Sequence, residues 1–98
     1  MRVRFAAAAR RELDDAVDWY EQRRPGLGAR LREEVGRVAQ AIQANPHGWP
    51  FERDPLRKHL LNRFPYKLLY VIDDDVVLVL AVAHQRRQPR YWADRWPE

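Results

Sequence analysis

Basic and aromatic side chains crowd the C-terminal half of this chain in a pattern suited to binding or handling anions. Arg57, Lys58, Arg63 and Lys67 precede two apolar runs, and His84, Arg86, Arg87, Arg90, Tyr91, Trp92 and Arg95 follow them. An apolar hairpin brings its entrance and exit together, so both sets are expected to converge on one surface. Two chemistries use such a surface. Cleaving RNA through its own 2′-hydroxyl needs a base, cations for the charge developing on phosphorus, and an acid for the leaving oxygen. His84 is a candidate for that base, since an unperturbed imidazole has a pKa of about 6.5, although a lone histidine at a strand end more often serves packing. Arginines interleaved with Tyr91 and Trp92 are equally the composition of a protein-interface hot spot, of a base-stacking surface, or of a solvated basic tail.

The charge is local. Arg53, Arg57, Lys58, Arg63 and Lys67 face the single acid Asp54, whereas Glu12, Asp14, Asp15, Asp18 and Glu21 balance the cations of the first half. The overall net charge of +4 makes a polyanion or an acidic protein plausible as partner without requiring either. The 98 residues suffice for a single domain, residues 1–98, with one modest core. No cysteine is present, which excludes disulfides and thiolate catalysis, and the three histidines lack metal-ligand spacing. No metal and no cofactor are expected. The longest apolar run, Val76 to Ala83, is far short of the roughly 20 residues that span a bilayer, so no membrane association and a cytoplasmic location are expected.

The elements that must position these groups are readable from periodicity. Arg2 to Phe5 alternates like an edge strand. Leu13, Ala16, Val17 and Tyr20 then make a helical stripe, with Trp19 beside it, and both Trp19 and Tyr20 are expected to pack the helix onto a sheet. Pro25-Gly26 interrupts, Leu27, Leu31, Val35, Val38 and Ile42 form a second stripe, and Asn45-Pro46 ends it. So short a turn implies a helical hairpin. Strands are expected at His59 to Leu61, Tyr66 to Ile72 and Val76 to Ala83, with Pro65 setting the entry to the second and Pro89 stopping the third. Asp73, Asp74 and Asp75 read as a hairpin turn, because three adjacent carboxylates cannot all point at one ion. The expected fold is α+β, a βααβββ order in which a helical hairpin covers a small antiparallel sheet. Leu68, Tyr70, Ile72, Val77, Val79 and Ala81, or their alternates, should meet the helices, which are the only cover in view.

The order of several pieces carries a resemblance. "WYEQRRPGLGARLREEV" from Trp19 to Val35, Asn45-Pro46, "RFPYKLLYVIDDDVVLVLAVAHQRRQPRYW" from Arg63 to Trp92, and Arg95 resemble the RelE/ParE superfamily of toxins from type II toxin-antitoxin modules, often described as plasmid stabilisation proteins. The likeness spans Phe5 to Arg95 and is nearer the ParE-like branch, through the WYE and PGLG elements and the His84 to Trp92 ending. It implies a growth inhibitor held inactive by a cognate antitoxin in a hetero-oligomer. The ParE-like branch implies poisoning of DNA gyrase, with Arg86, Arg87, Arg90, Tyr91, Trp92 and Arg95 as the target-binding surface and no catalytic residues. The RelE-like branch implies a metal-independent endoribonuclease acting on mRNA at the ribosome. For that alternative the candidates are Lys67, at the position of a phosphate contact, His84, Arg86, Arg87 and Tyr91, which matches a base-stacking tyrosine. Gln85 departs from that pattern, since the nucleases tend to have arginine there. A homologue that binds antitoxin without being toxic is a third possibility. Arg57, Arg63 and Lys67 are candidates for receiving antitoxin carboxylates.

Overall fold

A computed structural model describes residues 1–86 and 91–96. The chain runs β1 (Arg2–Phe5), α1 (Ala7–Arg23), α2 (Leu27–Ala44), β2 (Phe51–Arg53), β3 (Leu56–Leu60), β4 (Tyr66–Asp73) and β5 (Val76–His84), followed by a short 3₁₀ turn at Ala93–Arg95. Both helical stripes face inward as their spacing requires. Leu13 and Ala16 of α1 and Leu31, Val35, Val38 and Ile42 of α2 are buried in one cluster, with Val17, Tyr20 and Leu27 packed against it.

The turn between the helices explains the sequence around Pro25. Gly26 has φ +89°, a left-handed conformation that disfavours any side chain. The Glu21 carboxylate accepts the N–H groups of Gly26 at 2.8 Å and Gly28 at 3.0 Å, so a side chain of α1 caps α2. Gly28 is where the helices touch: a Cβ there would lie 2.6 Å from the carbonyl oxygen of Val17.

The five strands form one open sheet in the order β1-β5-β4-β3-β2. The α+β class and the helical hairpin stand as expected, but the sheet is mixed rather than antiparallel, because β1 pairs in parallel with β5, Arg2 opposite Val76 through Phe5 opposite Val79. The chain leaves β1 into the helices and re-enters the sheet at its far edge, so the last strand arrives beside the first in the same direction. The strand expected at 59–61 lies instead at Leu56–Leu60, and β2 is additional. Three residues between Pro50 and Pro55 carry too little periodicity to read as a strand. The β4–β5 hairpin turns at Asp74, whose φ of 55° is one that aspartate tolerates.

A bulge sets which side chains meet the helices. Tyr70 pairs with Val79 and Leu69 with Ala81, leaving Leu80 without an opposite residue. Leu68, Tyr70, Val77 and Val79 therefore join the helical cluster, as expected, with Ile72 packed against it. Past the bulge the parity of β5 inverts: Val82 faces the helices and Ala81 faces away, with Leu69, Val71, Leu78, Leu80 and Ala83 in a second cluster. The helices are also not the sole cover, for the second cluster is closed by Trp92 with Tyr91 and Trp96 packed against it.

Adding a methyl at Gly28 forces two backbones apart, so Gly28→Ala is expected to destabilise by about 1–3 kcal/mol in denaturant melts. An unchanged midpoint would mean that the helices separate freely at this crossing.

Candidate functional site

The C-terminal segment is held by charge as well as by packing. β1 covers β5 only as far as Val79, and the edge beyond is met by Glu12 of α1 and by Arg95. One oxygen of Glu12 accepts the Val82 N–H at 3.0 Å and an Arg95 N–H at 2.9 Å, while the other accepts a second Arg95 N–H at 3.0 Å. Arg95 also donates to the Leu80 carbonyl at 3.0 Å, and its guanidinium lies 5.3 Å from the centre of the Tyr91 ring. The hydrogen bonds that Arg95 donates to Glu12 raise its pKa above the ordinary value, against the opposing effect of burial. Trp92 is only 7% exposed. Two residues read from sequence as target contacts, Trp92 and Arg95, thus work inside the protein. Tyr91 is half-buried beside them. Arg87 and Arg90, with Pro89, lie outside the described residues.

The cations assigned to antitoxin carboxylates differ among themselves. Lys67 reaches Glu52 at 2.8 Å, with Lys58 at 3.8 Å from the same oxygen. Arg57 donates to the carbonyls of Trp49 at 2.7 Å and His47 at 3.1 Å and lies over the Phe51 ring at 4.1 Å. With the Tyr70 hydroxyl donating to the Pro46 carbonyl at 2.7 Å, Arg57 ties down the segment after α2. Arg63 differs, for its residue is exposed and, among the described residues, only its backbone N–H is engaged, by Glu34 at 3.2 Å.

An aromatic train crosses the end of the sheet. Trp19 meets Tyr20 edge to face at 4.9 Å, Tyr20 meets Phe64 at 5.0 Å and Tyr66 at 6.4 Å, and Tyr66 meets His84 at 5.1 Å. Trp19, Tyr20, Tyr66 and His84 line a groove of about 450 Å³ whose rim also includes Glu12, Asp15 and Arg86. Trp19 is 49% exposed, so the expectation that it packs the helix onto the sheet is overturned. Its position just outside the apolar stripe of α1 was the available signal: the helix turns it toward solvent, where Arg23, four residues on, covers the ring at 3.8 Å. Tyr20 does pack, and burial raises its hydroxyl pKa above the ordinary 10.0.

The groups considered for RNA cleavage fall on different faces. Strand alternation puts Lys67 opposite in facing to Tyr66, and its ammonium is paired with Glu52 on the neighbouring edge. His84 lies in the aromatic groove, and its Nδ1 accepts the Arg86 N–H at 3.1 Å, which leaves the proton of the neutral ring on Nε2. Tyr91 packs against the second cluster. Among the described residues no group of three histidine, aspartate or glutamate side chains could hold a metal ion, and no helix is long and apolar enough to cross a membrane.

A family model described as the ParE toxin of the type II toxin-antitoxin system parDE matches residues 3–89. A solved structure, titled as the chromosomal ParDE toxin-antitoxin system from P. aeruginosa, superposes with a TM-score of 0.74 at 20% identity, over 86% of this chain and 95% of that one. No curated protein matches the chain.

The Glu12–Arg95 contact makes a prediction of its own. Arg95→Ala leaves the carboxylate and the Leu80 carbonyl short of a donor, and is expected to cost about 2–3 kcal/mol. It should also weaken the near-ultraviolet circular dichroism of the packed tryptophans. Full retention of that signal would show that Trp92 is seated by apolar contact alone.

Proposed function

The chain belongs to the ParE toxin family of type II toxin-antitoxin systems, and on that premise we propose that it acts in the cytoplasm by binding DNA gyrase and is neutralised by a cognate antitoxin. The observation that carries this reading is the contrast between two sets of residues. Lys67, paired with Glu52, lies on the sheet face that Tyr91 packs against, whereas His84 lies with Tyr66 in the aromatic groove on the other face. The groove of Trp19, Tyr66 and His84, flanked by Arg23 and Arg86, has instead what a protein interface needs: an exposed indole, further rings behind it, and cations at the border.

A gyrase-binding toxin needs no chemistry of its own, only a rigid surface. The aromatic train supplies rigidity, because each ring is held edge to face by the next. Arg86 lies two residues past the end of β5, and its backbone N–H is held by His84, so its exposed side chain starts from an ordered position. Arg87 and Arg90 extend the same basic stretch and are carried forward as target contacts. Trp92 and Arg95 contribute by anchoring that stretch at its far end.

Growth inhibition on expression, gyrase supercoiling with detection of cleavage complexes, and mRNA cleavage on translating ribosomes test the proposal together. The expected result is gyrase cleavage complexes with intact mRNA, reversed by the protein encoded beside the chain. Trp19→Ala combined with Arg86→Glu should weaken inhibition by about 30-fold or more, the scale of losing one hot spot, in a protein that still folds. Lys67→Ala should leave inhibition in place. Ribosome-dependent cuts abolished by Lys67→Ala, with normal gyrase, would overturn the reading in favour of the endoribonuclease. Antitoxin binding without either activity would identify a non-toxic homologue.

A further inference from the structure

Tyr20 also lines a second and wider depression, of about 870 Å³, between α2 and residues 61–65. Three arginines border it: Arg30 and Arg37 on α2, and Arg63. The two helical positions are seven residues apart, two turns of one face and about 10 Å along the axis. Glu34 lies on that same face between them. It is 5% exposed, and its carboxylate accepts the N–H groups of Asn62 and Arg63, so its charge is engaged in fixing the loop. That fixation is what brings Arg63 beside the other two.

Several cations elsewhere are partnered. Arg32 meets Asp14, Lys58 and Lys67 meet Glu52, and Arg95 meets Glu12, while Arg57 is taken up by backbone carbonyls. Among the described residues, the guanidinium groups of Arg30, Arg37 and Arg63 make no ion pair and no hydrogen bond. Leu27, Phe64 and Tyr20 provide apolar surface within the same depression. Three unengaged arginines around apolar side chains, with Glu33 the one remaining acid of the lining, match a chain that offers carboxylates on one side and apolar residues on the other. A nucleic acid backbone fits less well, for it would set its phosphates against Glu33 and leave the apolar surface uncovered.

We propose that the Arg30–Arg37–Arg63 groove is the docking site for an acidic amphipathic segment of a partner protein, which, resting on the toxin-antitoxin reading above, is a segment of the antitoxin. The occupant's carboxylates pair with the arginines, and its apolar side chains lie on Leu27 and Phe64. Arg30 and Arg37 join Arg63 as contacts, whereas Arg57 and Lys67 serve the fold.

The test measures binding of the full chain to two probes, the protein encoded beside it and a synthetic amphipathic peptide of about 18 leucine and glutamate residues, roughly five helical turns. The R30E/R37E/R63E variant, altered only at exposed side chains, is compared with R2E/R10E/R11E, which has the same change in charge elsewhere; circular dichroism verifies both folds. The groove variant should bind at least about 100-fold more weakly and the control within a few-fold of wild type, with wild-type affinity falling as salt rises. Equal binding of the neighbouring protein by all three forms would overturn the groove while leaving the toxin-antitoxin reading intact. Peptide binding lost only in the groove variant, with no binding of the neighbouring protein by wild type, would support the groove and sink the reading. Binding of neither probe by wild type would end both. Binding of a single-stranded oligonucleotide, but not of the peptide, lost in the groove variant would assign the site to nucleic acid and overturn the proposal.

Discussion

Seven of the nine residues of β5 are buried, and a strand of that kind must be covered on both faces and along both edges. The helical hairpin covers one face and β4 runs along one edge. The other face falls to Tyr91, Trp92 and Trp96, and the other edge to β1 for its first four residues only. At the bulge, where that edge opens, the Leu80 carbonyl and the Val82 N–H would be left without partners inside the protein, each costing about 1–3 kcal/mol. Glu12 and Arg95 meet both groups and each other. Against a total stability of about 5–15 kcal/mol for a domain, this is a large contribution from two side chains. Terminal residues that look like an appendage in the sequence are therefore part of the core.

The same accounting separates cations that fold the protein from cations that remain for a partner. A chain rich in arginine and short of acids cannot pair every guanidinium internally. Arg57 and Lys58 of β3, Lys67 of β4 and Arg95 of the C-terminal turn are taken up by oxygens of the protein, because a charge near a half-buried backbone needs an acceptor. Among the described residues left over, Arg30 and Arg37 on α2 and Arg63 on the loop that Glu34 holds gather around one depression. Net charge gives no hint of this division, which depends on where each side chain finds an oxygen.

Much of the architecture was legible in the sequence, for a physical reason: both helical stripes follow the 3.6-residue period closely, and every residue of the α2 stripe from Leu31 to Ile42 is buried. The β4–β5 hairpin was equally plain from two apolar runs around Asp73 to Asp75. The bulge was not, since period-2 reasoning carries no mark of an unpaired residue in a wholly apolar strand, and it inverted the facing of Ala81. The parallel pairing of β1 depends on the route of the connection, which local pattern does not encode. The candidate surface was legible only in part. Composition could place arginines and aromatics together, but Arg95 finds Glu12 across 83 residues of chain, and no spacing rule anticipates such a pair.

Tyr20 links the two depressions. Its ring touches Trp19, Phe64 and Tyr66 edge to face, and it lines the aromatic groove and the arginine groove alike. A ring packed on three others has few positions open to it, because close-packed aromatic contacts shift in discrete steps and not by gradual yielding. Any body seated against Phe64 and Tyr20 on the α2 side therefore bears on the ring that also supports Trp19 and Tyr66. One side chain thereby forms the common boundary of the two depressions.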